Sequence, residues 1–195
     1  MEMTSKQIIP SKYYNPNRSY VFMDISINDI YVGRITFELF DDIVPDTVEN
    51  FRTLCSGEKN SKDDIKLHYR GSKFYRIVPG KIVEGGDITR NDGRGGRSIW
   101  YTEFPDENFE IKHFKAGLLS MANNGPDTNT SKFFITLDNT FWYDYKHVVF
   151  GQMIEGKNVL EKLENIGTEN GRPLKTAIIE NCGVLSESVK KDLII

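Results

Sequence analysis

Arg34-Ile35-Thr36-Phe37-Glu38-Leu39 alternates polar and apolar residues, and this period of two predicts a strand with one buried face. The run from Val21 to Ile27 is strand-like too, and Asn28-Asp29 between the runs is a hairpin-turn candidate. Downstream, Pro45-Asp46-Thr47 opens a helix. Asp46 and Glu49 stand at capping-box spacing, Val48, Phe51 and Leu54 share a face, and Gly57 is the stop. Further strands are expected from Phe74, at Phe133 to Leu137, at Val148 to Met153 and at Ala177 to Asn181. A second helix fits Lys157 to Asn165, with Val159, Leu160, Leu163 and Ile166 on one face and Gly167 at its end. Many short strands with two helices point to a mainly β fold, a closed antiparallel barrel with helices over its open ends. A sandwich has the same periodicity.

The 195 residues suffice for one well-buried domain, expected over 19–185, with a polar arm at 1–18 and a tail at 186–195. A charged, irregular stretch at 58–72, centred on Lys62-Asp63-Asp64, reads as a long surface loop. The net charge of -3 gives no bulk affinity for polyanions. No apolar run reaches membrane-span length, and Met1 to Ile9 lacks a signal-peptide core. Cys55 and Cys182 fit neither a metal spacing nor a disulfide framework, so a reducing compartment, cytoplasm or nucleus, is expected.

Several chemistries lack their residues. His68, His113 and His147 are far apart with no i, i+4 pair, so no metal site is expected. Asn91 to Arg97 is rich in Gly and Arg but lacks the Lys-Ser/Thr ending of a phosphate loop. RNA binding through Arg90, Arg94 and Arg97 is opposed by the net acidity. No Gly-x-Ser-x-Gly elbow surrounds Ser120. What stands out is Arg76 in the apolar run Phe74-Tyr75-Arg76-Ile77-Val78-Pro79-Gly80. Its guanidinium keeps its charge and so needs a partner or a groove. With aromatics, amides and an indole, it forms a set that binds peptide-like groups without covalent chemistry.

Gly33-Arg34 precedes Phe37-Glu38-Leu39-Phe40, followed by Val44-Pro45, Glu49-Asn50-Phe51-Arg52 and Phe74-Tyr75-Arg76. Then come Gly85-Gly86-Asp87, Asp106-Glu107-Asn108-Phe109, Leu119-Ser120-Met121-Ala122-Asn123, Phe133-Phe134-Ile135 and Lys146-His147-Val148-Val149-Phe150-Gly151. In this order the motifs resemble the cyclophilins, peptidyl-prolyl cis-trans isomerases that also bind cyclosporin, over about residues 20–185. The resemblance implies an eight-stranded closed barrel capped by two helices, with the site on its outer wall. It implies proline-containing peptides and proteins as partners, cyclosporin as a further ligand, a monomer, and no cofactor. Arg76 is then the donor to the prolyl nitrogen. Phe134, Ile82, Tyr143 and His147 match the proline-ring pocket. The backbone of Asn123, next to Ala122 in the substrate-binding set, matches the holder of the substrate carbonyl. Trp142 matches the indole that contacts cyclosporin.

The chain departs from the family at the site. Phe-His-Arg becomes Phe74-Tyr75-Arg76, and Gly-Phe-Met-x-Gln becomes Gly80-Lys81-Ile82-Val83-Glu84. Ser-Gln-Phe-Phe becomes Ser131-Lys132-Phe133-Phe134, and Trp-Leu becomes Trp142-Tyr143. Glu84 is therefore expected to form a bidentate ion pair with Arg76, with Lys132 competing for the carboxylate. Lys81 is expected to remove apolar wall from the pocket. Reduced activity follows, or a shift toward acidic or phosphorylated residues beside proline. A proline-binding module with little catalysis, in an RNA-processing or chaperone assembly, is the alternative. The 58–72 loop resembles members with an insertion there, some of which carry cysteines matching Cys55 and Cys182, with redox control suggested.

Overall fold

The computed structural model describes residues 17–60 and 63–186. The expected arm up to residue 16, residues 61–62 of the charged loop and the tail from 187 lie outside the described residues. Among the described residues, the chain runs β1 (Tyr20–Ile27), β2 (Ile30–Leu39), α1 (Pro45–Ser56), β3 (Arg76–Val78), β4 (Ile82–Gly85) and β5 (Leu118–Met121). It continues with β6 (Phe133–Thr136), β7 (Val149–Glu155), α2 (Lys157–Glu164) and β8 (Ala177–Val184). Asn28 and Asp29 both take positive φ, 49° and 62°, and turn β1 into β2 as expected.

The strands form one antiparallel sheet in the order β3-β4-β6-β5-β7-β2-β1-β8. The sheet curls until the segment before β3 meets β8. Gly71 N–H donates to Ile179 O at 2.7 Å, Phe74 N–H to Ala177 O at 3.0 Å, and Lys73 bridges Ile178. This is a curled half-barrel with β3 and β8 at its ends, where a closed barrel was expected. A few backbone bonds and one isolated bridge between residues 71–74 and β8 join the ends, and no continuous ladder closes the sheet among the described residues.

Alternation sends Ile35, Phe37, Leu39, Ile77, Val83, Leu119, Met121, Phe133 and Ile135 into one interior core. Helix α1 seats Phe51 there, with ring centroids 5.1 Å from Tyr69, 5.1 Å from Phe133 and 4.8 Å from Phe150. Each such ring contributes about 1.5–3 kcal/mol through burial. The local capping box is not used. Val44 is the N-cap and makes no side-chain cap bond. The carboxylate of Glu107 caps the helix from a distant loop, accepting from Asp46 N–H at 3.1 Å and from Thr47 N–H at 2.9 Å. Pro45 occupies the first turn, where its missing N–H costs nothing, and Gly57 closes the helix at φ 65°.

Helix α2 lies on β2, where a Cβ at Gly33 would come within 2.5 Å of Val159 Cγ2. Its Glu164 accepts from Gly80 N–H at 2.8 Å and so pins the β3–β4 turn. Arg18, at the end of the expected arm, is fully buried and paired with Asp42 at 2.7 Å. No helix among the described residues is long and apolar enough to cross a membrane.

Candidate active site

The outward-facing side chains form a row across four strands. Arg76 on β3 pairs with Glu84 on β4, Glu84 with Phe134 on β6, and Phe134 with Ser120 on β5. A period of two puts their neighbours Ile77, Val83, Phe133 and Ile135 into the interior core. Val78, Ile82, Ala122 and Phe134 make a second apolar cluster, with Tyr143 packed against it. Strand register therefore gathers Arg76, Glu84, Ile82, Ala122 and Phe134 on one patch, and Tyr143 packs onto it from outside the sheet.

Glu84 divides its carboxylate. Its Oε2 accepts from Arg76 Nη1 at 3.0 Å, and its Oε1 accepts from the Tyr75 hydroxyl at 2.7 Å. The expected bidentate fork is thus not formed, because Tyr75 holds the second oxygen. Arg76 remains half exposed, with 48% of its side chain accessible. Burial lowers its pKa, but the hydrogen bond and charge of Glu84, with smaller contributions from Tyr143, raise it overall. Burial, the charge of Glu84 and the bond to it push the Tyr75 hydroxyl far above its ordinary range, so it stays a donor.

Lys132 does not compete for Glu84. It is buried, and its ammonium donates to Gly93 O at 3.0 Å and Asn124 Oδ1 at 3.5 Å. Lys81 is exposed in the turn between β3 and β4, and its carbonyl accepts from Leu137 N–H at 2.9 Å.

Phe134 is enclosed by rings. His113 stacks on it at 5.8 Å and 15°, Tyr143 leans against it at 5.1 Å, and His147 meets it edge-on at 5.3 Å. His147 donates Nδ1–H to Met121 O at 2.8 Å, since a carbonyl only accepts. Burial lowers its pKa despite that bond. Asn123 is tied through its side chain to Lys146 O at 2.8 Å, and Trp142 stands 5.9 Å from Tyr143. Beside Asn123 and His147 opens a cavity of about 470 Å³ between Phe109, Tyr145 and the Asp106 and Asp127 loops.

Residues 22–184 match the family model described as cyclophilin type peptidyl-prolyl cis-trans isomerase/CLD. The chain belongs to the cyclophilin family. Its matched region covers the whole row from Arg76 to Phe134, so the outward patch lies within a cyclophilin-type isomerase domain. Binding of proline-containing peptides follows from the domain.

Sequence reasoning missed the supports of this patch of the cyclophilin domain. His113 Nδ1 donates to Asp144 Oδ1 at 2.8 Å, and its Nε2 lies 2.9 Å from Ser120 Oγ. The contacts have the connectivity of a hydrolytic triad, but Ser120 is fully buried and also bonds Val148 O at 3.2 Å. A nucleophile out of reach of substrate does no acyl transfer, so the trio props Phe134. Its members are dispersed along the chain, and only a fold brings them together. Tyr75 did carry a signal, as the neighbour of Arg76 in the same motif. The arginines of the 90–97 loop are paired with acids, Arg90 and Arg94 with Asp92, and Arg97 with Asp63. Asp87, fully buried, gathers that loop by accepting from the N–H groups of Arg90, Gly93 and Gly95 at 2.9–3.0 Å.

Proposed function

We propose that this domain rotates X-Pro peptide bonds on the outward face of β3, β4 and β6, with Arg76 as the catalytic donor. Resonance sets a barrier of about 18–20 kcal/mol. Twisting localises the lone pair on the prolyl nitrogen, where a fixed cation donates a hydrogen bond. Such a bond contributes roughly 1.5–3 kcal/mol, or about ten- to a hundredfold in rate. The rest comes from binding the twisted form better than the planar one, through Phe134, Ile82, His147 and the backbone of Asn123. The observation that carries this reading is the single-oxygen contact of Glu84, which orients Arg76 and leaves its other N–H groups outside that pair.

Charge near the site favours an acidic residue beside proline. That preference now rests on exposed Lys81, since the Lys132 ammonium is engaged by Gly93 O and Asn124. A second reading, a proline-peptide-binding module with little catalysis, is favoured by the enclosure of Phe134, which is only 2% exposed. NMR exchange on Ala-Pro, Glu-Pro and phospho-Ser-Pro peptides, with Arg76→Ala as control, separates the two. Exchange lost in the variant supports catalysis by Arg76, and binding without exchange supports the module.

A further inference from the structure

The pocket expected to receive a proline ring is already full. Phe134 is 2% exposed, Ile82 2%, Ala122 5% and Val78 7%, so the apolar wall of the cluster is nearly inaccessible. A proline ring gains binding energy only from apolar surface it can cover. Some side chain must therefore leave before substrate binds.

The surrounding rings differ in how firmly they are held. His113 is buried and bonded to Asp144 and Ser120, and His147 is bonded to Met121 O. Tyr143 is partly buried and sits at the end of a three-residue 3-10 turn, Phe141–Tyr143. Its neighbours Phe141 and Trp142 are exposed. Its ring leans on Phe134 with centroids 5.1 Å apart, and its hydroxyl is an electrostatic neighbour of Arg76. Tyr143 thus touches both halves of the site, the apolar wall and the charged donor. A tyrosine is built for this, with a ring for Phe134 and a hydroxyl for the guanidinium.

We propose that Tyr143 is a gate that fills the proline pocket in the free protein and must swing out for an X-Pro peptide to bind. The proposal rests on the reading of this patch as the isomerase site. The gate makes Tyr143 a specificity-determining residue, because only peptides whose flanking contacts repay its displacement open the pocket. Apparent affinity is the intrinsic affinity scaled by the open fraction. With an open state populated at about 0.1–10%, removing the gate tightens binding by at least about tenfold.

The experiment compares the wild-type protein with Tyr143→Leu and Tyr143→Phe in NMR exchange on an Ala-Pro peptide, with Arg76→Ala as control. Tyr143→Leu is expected to raise kcat/KM by tenfold or more, chiefly through KM. Tyr143→Phe, which keeps the ring and loses the hydroxyl, is expected to gain less. A Tyr143→Leu protein no faster than wild type, while wild type shows exchange that Arg76→Ala slows by about tenfold or more, overturns the gate and leaves the isomerase reading standing. Exchange in wild type unaffected by Arg76→Ala overturns that reading instead, and the gate with it. A measurement on the unmodified protein covers the case of a variant that fails to fold. Nuclear Overhauser contacts between the Tyr143 and Phe134 rings are expected in the free protein and are replaced by proline-to-Phe134 contacts at saturating peptide. Persistence of the Tyr143–Phe134 contacts with peptide bound overturns the gate.

Discussion

Tyr75 and Arg76, adjacent on one chain, hold opposite oxygens of the same carboxylate, that of Glu84. Their side chains reach it from one edge of the sheet, and the tyrosine keeps the arginine from forming a two-oxygen fork. Tyr75→Phe releases Oε1 to join Arg76, which dampens the guanidinium's field. The expected result is a kcat lower by about fivefold, equivalent to roughly 1 kcal/mol. Glu84→Gln removes the opposing charge and is expected to raise kcat by a similar factor. Steady-state exchange measurements on one peptide check both.

Arg76→Ala is expected to lower kcat/KM by about ten- to a hundredfold, the worth of one charge-assisted hydrogen bond. Its side chain is half exposed, so unfolding free energy should move by no more than about 0.5 kcal/mol. Denaturant melts alongside the exchange assay separate lost chemistry from lost fold.

The two lysines should behave differently. Lys81→Ala is expected to lower the ratio of Glu-Pro to Ala-Pro turnover by less than about fivefold, since exposed charges contribute about 0.2–1 kcal/mol. Lys132→Met should leave that ratio unchanged and cost about 1–2 kcal/mol of stability, because Gly93 O and the Asn124 amide lose a buried donor. Paired-peptide competition and chemical denaturation provide the two readouts.

Acid should weaken the fold before carboxylates titrate. Burial lowers the pKa of His68, His113 and His147 below the ordinary 6.5. A group with a depressed folded pKa favours the folded state above the unfolded value, and that advantage is lost as pH falls toward the folded pKa. Stability should therefore decline as pH drops below about 6.5, with a further loss from Asp87 as pH falls below the ordinary aspartate value. Burial raises that carboxyl, but the N–H groups of Arg90, Gly95 and Thr89 hold it below its usual value overall. Thermal melts from pH 8 to pH 3 test the profile, and a flat curve between pH 7 and pH 5 contradicts it.

Both cysteines are free and buried. Burial pushes the Cys55 thiol well above its ordinary range and Cys182 up to about 12. Thiolate is the reactive form, so native protein should react slowly with a disulfide reagent, and denaturant should expose both thiols at once. Rapid labelling of the native state would contradict this picture and reopen redox control.

The sequence by itself determined the family, the two helices within a residue or so, and the hairpin at Asn28-Asp29. Each rests on local chemistry: a period of two or 3.6, a glycine at positive φ, a motif read in order. The strands at 82–85 and 118–121 were not legible by pattern, since each is only four residues long and buried on nearly every position. The cap of α1 was misread because Glu107, far along the chain, outcompetes a local carboxylate. At the site, the sequence named Arg76, Phe134, Ile82 and His147 through resemblance. Only the tertiary structure decided their partners. Strand register set Glu84 between Arg76 and Phe134, the Tyr75 hydroxyl claimed one carboxylate oxygen, and the Phe141–Tyr143 turn laid Tyr143 over Phe134. Hydrogen bonds and ring contacts act over a few ångströms between residues many positions apart, and that distance exists only once the sheet has curled.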